Sequence, residues 1–153
     1  MRKWFALAAL TATLHILLSS AMPQVDPVNW KFTSKKIADN TYEIHFTATI
    51  EDPWHIYSQN MVEGGPIPTS ISFSKNPLVT LSGKPKEIGK MVEKYEDVFE
   101  MKVKYYSNKV DFVQVVKLKS NVKTNVNGAI EYMVCTNEEC LPPQTKNFNV
   151  TIQ

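Results

Sequence analysis

Tyr42-Glu43-Ile44-His45-Phe46-Thr47-Ala48-Thr49-Ile50 alternates strictly between apolar and polar residues. A period of two puts Tyr42, Ile44, Phe46, Ala48 and Ile50 on one face and Glu43, His45, Thr47 and Thr49 on the other. That is the pattern of a half-buried β-strand with one wet face. A second run behaves the same way. Val126, Gly128, Ile130, Tyr132 and Val134 alternate with Asn127, Ala129, Glu131 and Met133. Further strand candidates are 30–37, 69–74, 102–106, 112–118 and 148–152, all rich in β-branched or aromatic residues.

Turn chemistry separates these runs. Ala38-Asp39-Asn40 fits a tight turn, Ser107-Asn108 a second, and Asn125 to Gly128 the start of a third. Glu63-Gly64-Gly65-Pro66 and Ser82-Gly83-Lys84-Pro85 punctuate longer loops. Lys86 to Glu96 could pass for one turn of helix, but its apolar spacing is poor. Seven or more short strands without a helical stripe predict an all-β fold. The expected form is an immunoglobulin-like two-sheet β-sandwich, with a small barrel as the runner-up. The chain of 153 residues is one ordinary domain long.

The first stretch stands apart. Arg2 and Lys3 precede an apolar run from Trp4 to Leu18, and Ser19, Ser20 and Ala21 follow. A basic start, an apolar middle and small residues before a cut describe a secretory signal peptide, so residues 1–21 are read as a leader and 22–153 as the mature domain. An uncleaved anchor is the rival reading; the run is short for a span and holds Thr11, Thr13 and His15. The leader's two charges are both basic, so its loss takes the net charge from +2 to zero. No basic tract remains, which argues against nucleic acid and anionic membrane surfaces as partners. Export implies the periplasm or cell exterior, where disulfides persist.

The only two cysteines are Cys135 and Cys140, in Tyr132-Met133-Val134-Cys135-Thr136-Asn137-Glu138-Glu139-Cys140-Leu141-Pro142-Pro143. The segment starts at a strand end and stops at Pro-Pro. Four intervening residues can fold back as a hairpin tip and bring the α-carbons to bonding distance. Three readings are open: a redox pair, a structural staple, or a metal site. Closing so small a ring removes only about 2 kcal/mol of unfolded-chain entropy, a weak reason for a staple. Cys135 and Cys140 with Met133, Met61 or His55 could suit Cu(I), but no zinc spacing exists. Glu138 and Glu139 should raise a neighbouring thiol's pKa, as befits an unactivated relay. His45 and His55 without a serine nucleophile motif give a hydrolase no support. Asn149-Val150-Thr151 fits a glycosylation pattern and matters only in a eukaryote.

Tyr-Met-Val-Cys-x4-Cys-Leu-Pro-Pro at 132–143 resembles the active-site segment of the N-terminal periplasmic domain of DsbD, the thiol:disulfide interchange protein. Asp52-Pro53-Trp54-His55-Ile56-Tyr57 resembles that family's Asp-Gly-aromatic-aromatic-aliphatic-Tyr stretch, and Tyr95-Glu96-Asp97-Val98-Phe99 its cap loop. The resemblance implies an immunoglobulin-like sandwich acting as a protein-disulfide reductase component, with no cofactor and no metal. A thioredoxin-like domain, fed by a membrane donor, would reduce Cys135–Cys140. The dithiol would then reduce periplasmic client disulfides, such as those of isomerases or cytochrome c maturation proteins. By position Cys140 matches the cysteine that forms mixed disulfides and Cys135 the one that resolves them. Phe99 matches the aromatic that caps the pair, Asp97 an acid beside it, and Tyr57 and His55 nearby aromatic positions.

The departures are specific. Four residues separate the cysteines where the founding examples have five, Val98 stands where a second acid can occur, and His55 replaces an aromatic. The membrane and thioredoxin-like parts do not follow in this sequence, so the donor is expected on a separate chain. Without the resemblance, Phe99 reads as a core aromatic, Asp97 as a solvated turn residue, and Tyr57 and His55 as ordinary strand residues. The competing functional class is a sandwich module that binds protein or an envelope ligand and carries a structural disulfide. Nothing in the sequence marks an oligomer, so a monomer is expected.

Overall fold

Period two and β-branched composition become strand in the way the Tyr42–Ile50 run requires. In the computed structural model, which describes residues 26–153, that run is β2 (Thr41–Ile50). Ile44, Phe46 and Ala48 are fully buried, with Tyr42 and Ile50 close to it. A tight turn at Asp39–Asn40 joins it to β1 (Val28–Ala38), and Asn40 takes a positive φ of 54° there. Asparagine tolerates that conformation better than other side chains. The remaining strands are β3 (His55–Tyr57), β4 (Ser70–Phe73), β5 (Val79–Glu96), β6 (Met101–Leu118), β7 (Thr124–Tyr132), β8 (Val134–Cys135) and β9 (Gln144–Ile152). There is no helix among the described residues. The expected leader, residues 1–21, lies outside them.

Two antiparallel sheets form. The first runs β1-β2-β6-β3-β8, with β5 also on β6; the second runs β4-β7-β9. β6 is the spine of the first sheet. One of its edges pairs with β5 from Met101 to Leu118. Its other edge takes β2 along Lys109–Lys117 and then β3 along Tyr105–Ser107. Between the sheets, Phe46 meets Phe148 edge-on at 4.7 Å and Trp30 meets Tyr132 at 5.3 Å. Ile44, Phe112, Ile130 and Val150 fill the same core. The all-β, immunoglobulin-like sandwich is as expected.

Several local expectations are corrected. Ser107-Asn108 is not a turn. Candidates 102–106 and 112–118 are one strand, β6, and Asn108 (φ 64°) sits where the register against β5 shifts between Gly89 and Met91. A residue that accepts positive φ can serve a bulge as readily as a turn. Ser82-Gly83-Lys84-Pro85 likewise lies within β5, at a shift between Ser82 and Lys86, with Gly83 at φ 71°. Lys86–Glu96 is strand, because β6 supplies a full ladder whatever its own apolar spacing. Asn125 to Gly128 continues β7 and makes no turn.

Candidate functional site

The cysteines lie where the chain changes sheets. Tyr132 ends β7 in the second sheet, Met133 makes the crossing, and Val134–Cys135 forms β8 at the edge of the first. Thr136 to Glu139 then turn the chain back. The Thr136 N–H donates to the Glu139 carbonyl at 2.8 Å, and the Leu141 N–H to the Val134 carbonyl at 2.9 Å. The Thr136 hydroxyl oxygen accepts from the N–H groups of Glu138 and Glu139, both at 3.1 Å, the local bonding that favours threonine in turns. The tip brings the two α-carbons to 4.0 Å and Cys135 is disulfide-bonded to Cys140. Cys135 is 1% exposed, whereas Cys140 is exposed.

Register places the bond on the outer face of the first sheet. His55 pairs with Cys135 and with Ser107, and Tyr57 pairs with Tyr105. Residues directly opposed across a ladder share a face. Ile56, Val134 and Tyr106 point the other way, into the core between the sheets. On the outer face Tyr57, Val103 and Cys135 form a separate small cluster, with Met61, Phe99, Met101, Tyr105 and Met133 packed against it. Met61 and Met133 thus serve as packing; the Met61 sulfur also accepts from the Lys104 N–H at 3.2 Å.

The end of the β5–β6 hairpin covers this cluster. Its turn is closed by the Phe99 N–H to the Glu96 carbonyl at 3.2 Å and the Glu100 N–H to the Asp97 carbonyl at 3.3 Å. Phe99 is half-buried and meets Tyr57 edge-on at 6.4 Å, while Val98 beside it is 85% exposed. A cleft of about 340 Å³ opens here, with His55, Tyr57, Glu96, Phe99, Met133 and Cys140 in its wall. Asp97 is exposed and is not part of that wall. Of the hairpin's neighbouring Glu96 and Asp97, Glu96 is the one that faces in, because it lies across from Met101 on the face that carries Val103 and Tyr105. Sequence reasoning missed Glu96 in this role, and Trp54 too. With Pro53, Trp54 lines a second cleft that shares the Thr136–Glu139 loop.

Burial sets the electrostatics. His55 is 4% exposed, its Nε2 lies 3.3 Å from the Tyr57 hydroxyl, and its ring sits 4.4 Å from that of Tyr105. Burial lowers its pKa below the usual 6.5; Glu96 opposes this and Lys94 reinforces it. Burial, then Glu96 and Tyr105, pushes the Tyr57 phenol up to about 12. Both rings are therefore uncharged around neutral pH. Glu96 is held by Lys94 at 3.1 Å.

An exposed cysteine bonded to a buried one, in a small loop beside a hairpin tip, is suited to thiol–disulfide exchange. Residues 21–152 match the family model described as thiol:disulfide interchange protein DsbD, N-terminal. The chain belongs to the DsbD N-terminal family. The fold of this DsbD N-terminal domain is shared with solved structures. The reduced DsbD N-terminal domain of Neisseria meningitidis is 17% identical, with a TM-score of 0.55, over 86% of this chain and 90% of that one. The N-terminal periplasmic domain of ScsB from Proteus mirabilis is 18% identical, with a TM-score of 0.57, over 86% of this chain. The match spans only 48% of the ScsB domain. A complex between the DsbD N-terminal and PilB N-terminal domains of Neisseria meningitidis also matches, at 16% identity and a TM-score of 0.51, over 85% of this chain and 87% of that one. No curated protein matches the chain by sequence.

Proposed function

We propose that this domain is a periplasmic thiol–disulfide relay, taking electrons from a thioredoxin-like domain or DsbD-type donor on a separate chain and reducing disulfides of client proteins. The observation that carries the reading is the asymmetry of the bond: Cys140 is exposed and Cys135 buried. A donor thiolate attacks Cys140, the bond to Cys135 breaks, and a second donor thiol completes the exchange. The domain gains two electrons and two protons as a dithiol. In the client step the Cys140 thiolate attacks the client disulfide and one client thiolate leaves. Cys135 then attacks Cys140, restores the intramolecular disulfide and releases the second client thiolate. Attack must come in line with the S–S bond, so access to Cys140 sets the rate. Phe99, Tyr57 and His55 line that access, and the hairpin tip carrying Phe99 acts as the cover. The ScsB neighbour is a periplasmic domain and another neighbour is a complex with a second domain. The first supports an exported domain and the second a domain that docks a partner; residues 1–21 are read as the leader from their sequence alone.

Trapping tests the assignment. Cys135→Ala should accumulate a mixed disulfide through Cys140 with a thioredoxin-like partner, seen as a band that reductant abolishes. Cys140→Ala should trap none. A reduction potential for the wild-type pair below about −300 mV, where structural disulfides lie, would sink the relay in favour of a binding module with a staple.

A further inference from the structure

The burial of Cys135 creates a need that the exposed Cys140 does not have. Cys135 packs with Tyr57 and Val103, away from water. A thiol so placed ionises reluctantly, because burial disfavours the thiolate. Yet only a thiolate displaces sulfur from a mixed disulfide. In the relay reading, on which this inference rests, Cys135 does so at the resolving step, and its proton needs an acceptor inside the cluster.

Two histidines lie among the described residues. His45 is on β2, with its Nδ1 2.7 Å from an Asp111 oxygen. His55 is the direct ladder partner of Cys135 across β3 and β8. Opposed residues have Cβ atoms about 4.5–5.5 Å apart on one face, close enough for imidazole and thiol to meet. The same imidazole lines the cleft that reaches Cys140. We infer that His55 accepts the Cys135 proton as the Cys135 sulfur displaces the partner from Cys140. In that step the Cys135–Cys140 bond forms, the Cys140–partner bond breaks, and its electron pair leaves on the partner sulfur. The proton passes from Cys135 to His55 and then to the departing thiolate, so no outside oxidant or reductant is needed.

The surroundings keep this base ready. Around His55 stand Tyr57 on its own strand, Tyr105 on β6, Lys94 and Glu96 on β5, Cys135 on β8, and Glu138 and Glu139 in the wall of the shared cleft. Burial outweighs Glu96 and lowers the pKa of His55. The ring is neutral, and able to accept, through the neutral range.

Reduced protein reacting with dithiobis(nitrobenzoate) separates the two steps. The first thionitrobenzoate released reports attack by Cys140, and the second reports resolution by Cys135. For the wild type, the second phase should be level through the neutral range and fall as acid protonates His55, below 6.5. His55→Phe and His55→Gln should slow the second phase about 100-fold at neutral pH, in the range a positioned base provides. In both variants the second phase should climb with pH toward the ionisation of Cys135 itself; because His55 also lines the access to Cys140, the slowing is read as the ratio of second-phase to first-phase rate within each variant. Wild-type rate and profile in the second phase of either variant would overturn the inference. For Gln, which keeps a polar partner for Tyr57, that result would mean that His55 only positions the tyrosine. Failure of the relay reading is separable: the wild type would then complete both phases with the reagent but exchange nothing with a thioredoxin-like domain.

Discussion

Phe99 packs against the cluster of Tyr57, Val103 and Cys135, meets the Tyr57 ring edge-on, and stands in the wall of the cleft that holds Cys140. Truncating it removes cover without removing a bonded group. Phe99→Ala should cost about 1–2 kcal/mol, less than the roughly 3–5 kcal/mol of a fully buried ring. It should also speed alkylation of the reduced cysteines by iodoacetamide several-fold, Cys135 most of all. Equal stability loss without faster alkylation would make Phe99 a packing residue only. At this scale much of the site was legible in the sequence. Cys135, Cys140, Tyr57, His55 and Phe99 all came from three short segments; the structure sets the last four in the wall of one cleft and bonds Cys135 to Cys140. The acid was not legible. Glu96 and Asp97 are neighbours in sequence, and which of them faces the cleft depends on the register Glu96↔Met101 across the hairpin. A shift of one residue exchanges the faces of a strand, and no local pattern in 95–99 fixes that register.

Strands that bury one face announce themselves, and strands held by pairing alone do not. β2 and β7 were readable because burial alternates along them. β3 carries no such alternation, since His55, Ile56 and Tyr57 are all buried, one face against the core and the other against the cysteine cluster, and only His55 and Tyr57 were read as strand residues. β5 hid for the opposite reason. Leu81, Ile88, Met91 and Tyr95 stay exposed along it, and β6 rather than an apolar stripe makes it a strand. Within β7, Gly128 is a matter of close approach. A Cβ there would stand 2.0 Å from the Ser72 carbonyl oxygen and 2.5 Å from the Phe148 ring, and both belong to the strands that flank β7. Gly128→Ala should therefore lose about 3 kcal/mol, the upper end of ordinary overpacking, read as a lower urea midpoint. Gly83→Ala meets no atom within 4 Å. Its only burden is the φ of 71°, for a loss of about 1–2 kcal/mol. If the two variants lose the same amount, the tight seam between β4, β7 and β9 is not what Gly128 serves.

The molecule as a whole keeps its stability and its chemistry on opposite faces of one sheet. The apolar core between the sheets contains Val134 but not Cys135, its neighbour. The sequence already put Val134 on the buried face with Tyr132, which left Cys135 on the other. It held no sign of the sheet change at Met133, because that depends on β3 being free to pair with β8. Since the disulfide ties a loop of sequence separation 5 on the outer face, its reduction leaves the inter-sheet packing untouched. The loss should be the loop-closure entropy alone, about 2 kcal/mol, against more than 4 kcal/mol for a bridge closing a loop of a hundred residues. Reduced protein should melt in one cooperative step less than about 10 °C below the oxidised form. Amide protection along β2, β6 and β7 should persist, and any loss should be confined to β8 and the hairpin tip. Collapse of protection across both sheets on reduction would instead make the bond a staple. A relay with these cysteines would open and close the bond without unfolding, and the separation of faces is the physical condition that allows it.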